Sequence, residues 1–345
     1  MLVKLRKKNH FISTFLKLKN GGGGSLRYVV KRLLQTIPIL IGISIIIFAL
    51  VNLQPGDPYA NMMDPNLSAE MREEMLEKIG YYDPLPVQYV RWLGRAVQGD
   101  LGYSIVYKAP VLKVIGSRIG NTFILSLTAI VLSIVIAIPI GIITAIRKKQ
   151  LIDYVATVIA LMGLSIPAFF FGMLMIKWFA IDLKWLPISG MVTAGANLEG
   201  MAYVRDVVKH MILPTLVLAL INTASLMRYT RSNMIEIIQQ DFIRTARAKG
   251  VSGYRVIYKH ALKNCMIPII TILSLQIPTL FSGALLTETI FIWPGIGRLN
   301  YEAVMNRDYP LIMGIVMSIA VLTLAANLIA DILYAIVDPR IKYEA

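Results

Sequence analysis

"NTFILSLTAIVLSIVIAIPIGIITAI", residues 121–146, runs for 26 residues without an Asp, Glu, Lys, Arg or His. Crossing the hydrocarbon core of a bilayer takes about 20 mostly apolar residues as a helix, because each backbone amide must be satisfied inside the segment. Five further stretches meet the same test: residues 33–53, 154–180, 211–227, 266–286 and 311–337. Pro139 with Gly141, and Pro167 with Gly172, fall inside two of the runs, where packed membrane helices tolerate them. The whole chain agrees. Over 345 residues it is 56% hydrophobic and 16% charged, with a mean hydropathy of +0.64, too little polar side chain to cover a soluble globule. The expected fold is an all-α integral membrane protein with six transmembrane helices.

Orientation follows from the short basic loops, which resist translocation. Arg27, Lys31 and Arg32 precede the first span, and Arg147, Lys148 and Lys149 follow the second. After the fourth come Arg228, Arg231, Arg244, Arg247, Lys249, Arg255, Lys259 and Lys263 against Glu236 and Asp241. With Arg340 and Lys342 in the tail, all fall on one side, so both termini are expected in the cytoplasm. These loops also account for the net charge of +15. They face anionic lipid, and the basic balance is not read as nucleic-acid binding.

Residues 1–25 form a basic leader ending in "GGGGS" (21–25), the composition of a flexible linker. They read as a leader or engineered extension on a permease domain of residues 26–345, or as a natural basic arm on the membrane surface. Residues 54–117 make a long polar excursion outside. Within it, Ser68 suits the N-cap of a surface helix, Glu70 its positive end and Gly80 its stop. Trp92 and its neighbouring tyrosines are expected at the membrane interface or under a docking partner. Two further outer loops cover residues 182–210 and 287–310.

Chemistry is sparse. Cys265 is the lone cysteine, and His10, His210 and His260 are too scattered for a metal set. There is no nucleophile elbow, zinc motif or P-loop. No catalytic residue, metal site or cofactor is expected in this chain, so any ATP is bound by another.

The exception to the apolar pattern is "DFIRTARAKGVSGYRVIYKHALKNCMIPII", residues 241–270. Ile235, Ile238, Phe242 and Ala246 recur at helical spacing, which predicts an amphipathic helix continuing out of the fourth span. Gly250 permits a sharp turn, and Ser252 is placed to cap a second helix carrying Val256, Ile257 and Ala261. The result is a helical hairpin joined to two spans. Its geometry suits mechanical coupling to a soluble partner, and its charge equally suits an amphipathic loop on anionic headgroups.

These residues resemble the cytoplasmic coupling motif of ABC importer permeases, in which Glu-Ala-Ala is followed three residues later by Gly. Arg244, Thr245 and Ala246 stand where that triplet would, and Gly250 matches. The Leu-Pro that follows in the family is Leu262 and Lys263 here, with the nearest proline at Pro268. "TARAKG", "HALKN" and "IPII" are similar to the dipeptide and oligopeptide permeases and their nickel-type relatives. "LRYVVKRLLQTIPIL", "QPGDP" (54–58), "VQYVRWLGRAVQGDLGYSI" and "ETIFIWPGIGRLNYEAVMNRDYPLIMGIV" resemble the B-type subunit of that family, in matching order from Leu26 almost to the C-terminus.

The resemblance implies a type I ABC importer permease fold with a cytoplasmic coupling region over residues 228–265. Asp241, Arg244, Thr245, Ala246, Arg247, Ala248, Lys249, Gly250, Val251 and Ser252 would meet an ATPase. It further implies a second, C-type permease, two ATPase subunits holding ATP and Mg, an extracytoplasmic solute-binding protein, and a bacterial or archaeal plasma membrane. The cargo would be a dipeptide or oligopeptide, with a nickel chelate as the alternative. Asn222, Gln276 and Asn327 lie within spans, where they would line a pathway or hydrogen-bond neighbouring helices. Glu288, at the outer mouth, reads as a gate or docking residue. Lys177 is placed to snorkel, and Asp331 to pair with a base. A secondary transporter would show an inverted repeat with buried charges, and a membrane enzyme a cluster of acids and bases; neither pattern is visible.

Overall fold

The computed structural model describes residues 24–53, 70, 71, 73, 74, 77 and 80–337. Most of the basic leader with His10, the "QPGDP" stretch, Ser68, Arg340 and Lys342 lie outside the described residues. Helix α1 spans Gly24–Asn52, so the last two residues of "GGGGS" are helical, where coil was expected. Glu70, Met71, Glu73, Glu74 and Glu77 are helical. Gly80 closes that turn at φ +77°, donating its N–H to Glu77 O at 2.9 Å.

Helix α2 (Leu85–Val97) lies against α1, with Tyr89 Oη 2.8 Å from Ser44 Oγ. Trp92 is buried in one cluster with Val51, Val111 and Leu299, so it packs inside the chain, where an exposed interface position was expected. Strands β1 (Tyr103–Ser104) and β2 (Ala109–Pro110) form a small antiparallel hairpin with Ser104 opposite Ala109. Helix α3 follows at once as Val111–Ile146, so residues 111–117 of the polar excursion form its first turns.

The third apolar run departs most from expectation. It is not one helix but α4 (Leu151–Ser165) and α5 (Ala168–Met175), the latter continuing as a π-helix over Ile176–Asp182. The two parts are bent by 102°. Pro167 disfavours helical backbone at the residue before it, and Ile166 is extended at φ −77°, ψ 123°. The bend lays Met175 and Ala180 against Leu213, Val217 and Phe291.

The short fourth run lies inside α6, Gly200–Ile238, a helix of 39 residues. That is about 58 Å of helix, well beyond the hydrocarbon core of about 30 Å. Its polar ends, with Arg205, Asp206 and Lys209 at one and Arg228, Arg231 and Glu236 at the other, hid it from a hydropathy test. Helix α7 is Asp241–Ala248. A helical run then continues through α8 (Gly253–Arg255), a π-helix (Val256–Ala261) and α9 (Leu262–Leu275). After Pro278 come α10 (Thr279–Ser282), α11 (Leu285–Ile290), α12 (Ile296–Met305) and α13 (Tyr309–Val337). Gly283, at φ +80°, separates Leu285 and Leu286 from the fifth span.

Among the described residues, five helices are long and apolar enough to cross a membrane, or six with the bent pair as one span. Val131, Val135, Val158 and Met162 are exposed on α3 and α4, apolar surface of the kind a bilayer covers. Helices α3 and α6 form the central pair. Where they cross, a Cβ on Gly141 would stand 2.7 Å from Thr230 Cβ and 2.9 Å from Met227 O, the small-residue contact typical of membrane helices. Gly141→Ala is therefore expected to destabilise the bundle by about 1–3 kcal/mol through overpacking. Unchanged thermal unfolding of that variant in detergent would contradict the crossing.

Candidate functional site

The basic hairpin is built by local rules. Helix α6 stops at Ile238, and Gln240, in extended backbone at φ −73°, ψ 154°, starts α7. Asp241 sits at the positive end of α7 and Arg247 near its negative end. At the far end Gly250 takes φ +72°. Its N–H bonds Arg247 O at 3.0 Å, and the Val251 N–H bonds Ala246 O at 3.2 Å. This pair of bonds is a full Schellman closure, and the apolar contact between Val251 and the Ala246 cluster completes it. Ser252 occupies the next N-cap, but its hydroxyl makes no capping bond.

Periodicity mistook the buried face of α7. Ile243 and Ala246 are buried, while Phe242 is exposed, because the break at Gln239–Gln240 resets the phase between α6 and α7. The second arm buries Val256 and Ala261, five residues apart. A π-helix makes this possible, since its i→i+5 bonding brings such positions to one face. These four side chains share one cluster with Met234 and Ile237 of α6, Ala145 of α3, Ala160 of α4 and Ile269 of α9. The hairpin is thus keyed into the core of the spans.

Its other face is open. Asp241 and Arg244 have side chains 94% and 76% exposed and lie 3.4 Å apart. Thr245, Arg247, Ala248, Lys249, Gly250 and Ser252 are also exposed, and Val251 is half-buried. Nine of the ten expected contact residues therefore share one short segment with little burial, and Ala246 is its anchor.

A clamp that sequence reading missed braces this end of the bundle. Arg231 of α6 grips Asp153 of α4 in two bonds, Nε to Oδ1 at 2.6 Å and Nη2 to Oδ2 at 2.8 Å. The Lys149 N–H adds a third at 3.0 Å. The Asp153 side chain is only 5% exposed, and a bidentate guanidinium partner is what makes a carboxylate tenable there. Asp153 in the first turn of α4 was the one local signal.

The four candidate pathway residues lie on, or at the end of, four different helices. Asn222 is half-buried on α6 and Asn327 exposed on α13. Gln276 caps α9 at the break before Pro278, and its Oε1 is buried without a hydrogen bond. Glu288 is fully buried. Its Oε1 accepts from Thr122 Oγ1 at 2.9 Å and from the Ala284 N–H at 3.3 Å, and its Oε2 from the Arg298 N–H at 3.0 Å. A Cβ on Gly297 would come 3.0 Å from the same Oε2 and 2.7 Å from Leu285 N. Glu288 therefore holds the "WPGIGR" loop onto α3, and full burial removes it from any docking surface. Asp308, also missed, ties β1 to α13: it accepts from Ser104 Oγ at 2.5 Å and caps the helix through the Leu311 N–H at 3.2 Å.

Lys177 meets Asp182 at 2.7 Å, and Asp331 meets Arg32 at 3.2 Å. Cys265 is buried 4.0 Å from Thr230 O, and His210 is buried on α6. No cluster able to hold a metal occurs among the described residues.

Residues 137–343 match the family described as "Binding-protein-dependent transport system inner membrane component". Residues 25–128 match the N-terminal family of membrane components of such systems. The chain is 47% identical over 317 residues to the oligopeptide transport system permease protein AppB of Bacillus subtilis (strain 168), covering 92% of this chain and 99% of that protein. It is 37% identical over 337 residues to the dipeptide transport system permease protein DppB of Escherichia coli (strain K12), with 92% and 99% covered. Among solved structures, the MetNI methionine ABC transporter in inward-facing conformations matches with a TM-score of 0.52 at 14% identity, over 66% of this chain and 97% of that one. At that identity the likeness is one of fold.

Proposed function

Because the chain belongs to the family of inner membrane components of binding-protein-dependent transport systems, we propose that it forms one half of the translocation pathway of an ATP-driven peptide importer. It is a multi-pass membrane transporter subunit. A second, C-type permease supplies the other half, two ATPase subunits bind ATP and Mg, and a solute-binding protein delivers the peptide from outside. The chain itself holds no cofactor and performs no chemistry on the peptide. The peptide cargo rests on the oligopeptide and dipeptide permeases to which the chain is similar.

The observation that carries the coupling role is the keyed hairpin: Ile243, Ala246, Val256 and Ala261 sit in the core of the spans while the Asp241–Ser252 face is open. A push on α7 is transmitted to α6 and α9 through packed side chains, because cores of this density do not deform continuously. ATP binding closes the ATPase pair, the hairpin carries the closure to the spans, and the pathway turns from inward-facing to outward-facing. The solute then enters, and hydrolysis in the partners resets the cycle. The basic hairpin, the Arg147–Lys149 loop and both termini lie on the cytoplasmic side of a bacterial plasma membrane, in keeping with the distribution of Lys and Arg.

Copurification from native membranes tests the reading. The parent protein is expected to bring down an ATPase and a second permease, and the double variant Arg244→Glu, Arg247→Glu to retain the permease and lose the ATPase. A parent chain that purifies alone, with no nucleotide-dependent activity, would refute it.

A further inference from the structure

On that reading the end of the bundle opposite the hairpin faces outward, and we propose that a polar socket there receives an acidic side chain of the docking solute-binding protein. The socket has a volume of about 270 Å³ and is lined by Tyr107, Arg118, Pro294, Gly295, Arg298 and Glu302, among others. It joins three separate pieces of chain: the β1–β2 loop, the first third of α3, and the start of α12 with the loop before it.

Its charges do not cancel. Glu302 is the sole carboxylate of the lining, and both its oxygens are occupied. Oε1 accepts from Arg298 Nε at 2.7 Å, and Oε2 from Tyr107 Oη at 2.5 Å. Arg298 also gives Nη1 to Ile292 O at 2.8 Å. The Tyr107 phenol is pushed up to about 12 by burial, then by its bond to Glu302 and that carboxylate's charge, so it remains a donor and keeps its hold on Oε2. Arg118 is left half-buried with no hydrogen-bond or ion-pair partner among the described residues. A guanidinium offers a planar fork of donors that matches a carboxylate.

Size selects the source of that carboxylate. Sites that enclose small molecules hold roughly 300–1,000 Å³, and this socket falls below that range. It fits the carboxylate end of an Asp or Glu carried in by a protein, and it is too small to enclose an oligopeptide. The family's dependence on a binding protein supplies a partner for this end of the molecule, and a charged contact of this kind sets docking rate and register.

The test uses the assembled transporter in lipid nanodiscs, with its purified cognate binding protein as the probe. Arg118→Gln is expected to weaken binding about tenfold, Arg118→Glu further, and Arg118→Lys least. Tyr107→Phe frees Glu302 Oε2 to turn toward Arg118 and is expected to weaken binding severalfold. Acetate replacing chloride at constant ionic strength should compete in the parent and not in Arg118→Gln. Should Arg118→Glu misassemble, the Gln and Lys variants and the acetate competition carry the same test. Unchanged affinity in Arg118→Gln and Arg118→Glu would overturn the proposal. A raised KM for peptide with unchanged binding-protein affinity would overturn it too, assigning the socket to the solute's own carboxylate. Absence of a copurifying ATPase from the parent is a separate failure, that of the importer reading itself.

Discussion

Replacing Glu288 by alanine is expected to cost several kcal/mol of stability, although the residue is neither catalytic nor at a docking surface. The substitution leaves the hydroxyl of Thr122 and the N–H groups of Ala284 and Arg298 without their acceptor in a fully buried site. Each such group costs about 1–3 kcal/mol when unsatisfied. Thr122 in turn accepts from the Ile296 N–H at 2.7 Å, so the loss spreads to the loop that sets the start of α12. Trp293 adds to the consequence, because its indole N–H reaches Asn121 O at 3.1 Å from the same loop. Glu288→Gln keeps the shape and one acceptor oxygen but turns an NH₂ toward a donor, so an intermediate loss is expected. Thermal unfolding of the detergent-solubilised complex reads the series, and an alanine variant as stable as the parent would contradict this account of the loop.

That carboxylate also marks where sequence reading reaches its limit. The run at 121–146 is legible because nothing in it opposes a helix in lipid, and α3 contains all of it. Glu288 was legible only as a polar residue near a span end, because its partner Thr122 lies 166 residues away. The Asp153–Arg231 clamp was hidden for the same reason, across 78 residues. Pro139 and Pro167 look alike in sequence. The first stays within α3, which is packed along α6 at Gly141, and the second sits at a 102° bend. Packing beyond the proline decides between them, with Gly172 admitting Phe291, whose ring would lie 3.3 Å from an added Cβ. In the hairpin, Gly250 was legible because a left-handed turn has few occupants. Phe242 was misplaced because a 3.6-residue period was carried across a break that propensity does not announce.

Gly250→Pro is expected to abolish coupled uptake while leaving the spans inserted. The site is unusually clean, since a Cβ at Gly250 meets nothing within 4 Å, and only backbone conformation separates one substitution from another. Proline fixes φ near −65°, against +72° here, and removes the N–H that bonds Arg247 O. Both bonds of the Schellman closure are then lost, because the Val251 N–H reaches Ala246 O only through this turn. The two arms lose their fixed angle, and Ile243 and Val256 can no longer sit together in the core they share with α6 and α9. A closing ATPase pair would move α7 without moving the spans. Peptide uptake by proteoliposomes should fall at least about tenfold, as expected when a hinge that both arms depend on is broken. Asparagine tolerates the left-handed region and keeps its N–H, so Gly250→Asn should retain most of the transport. Side-chain loss alone predicts the opposite pattern, with both variants behaving alike. Normal uptake in Gly250→Pro would mean that the hairpin does not transmit the stroke, and its basic face would then be read as a membrane-surface element.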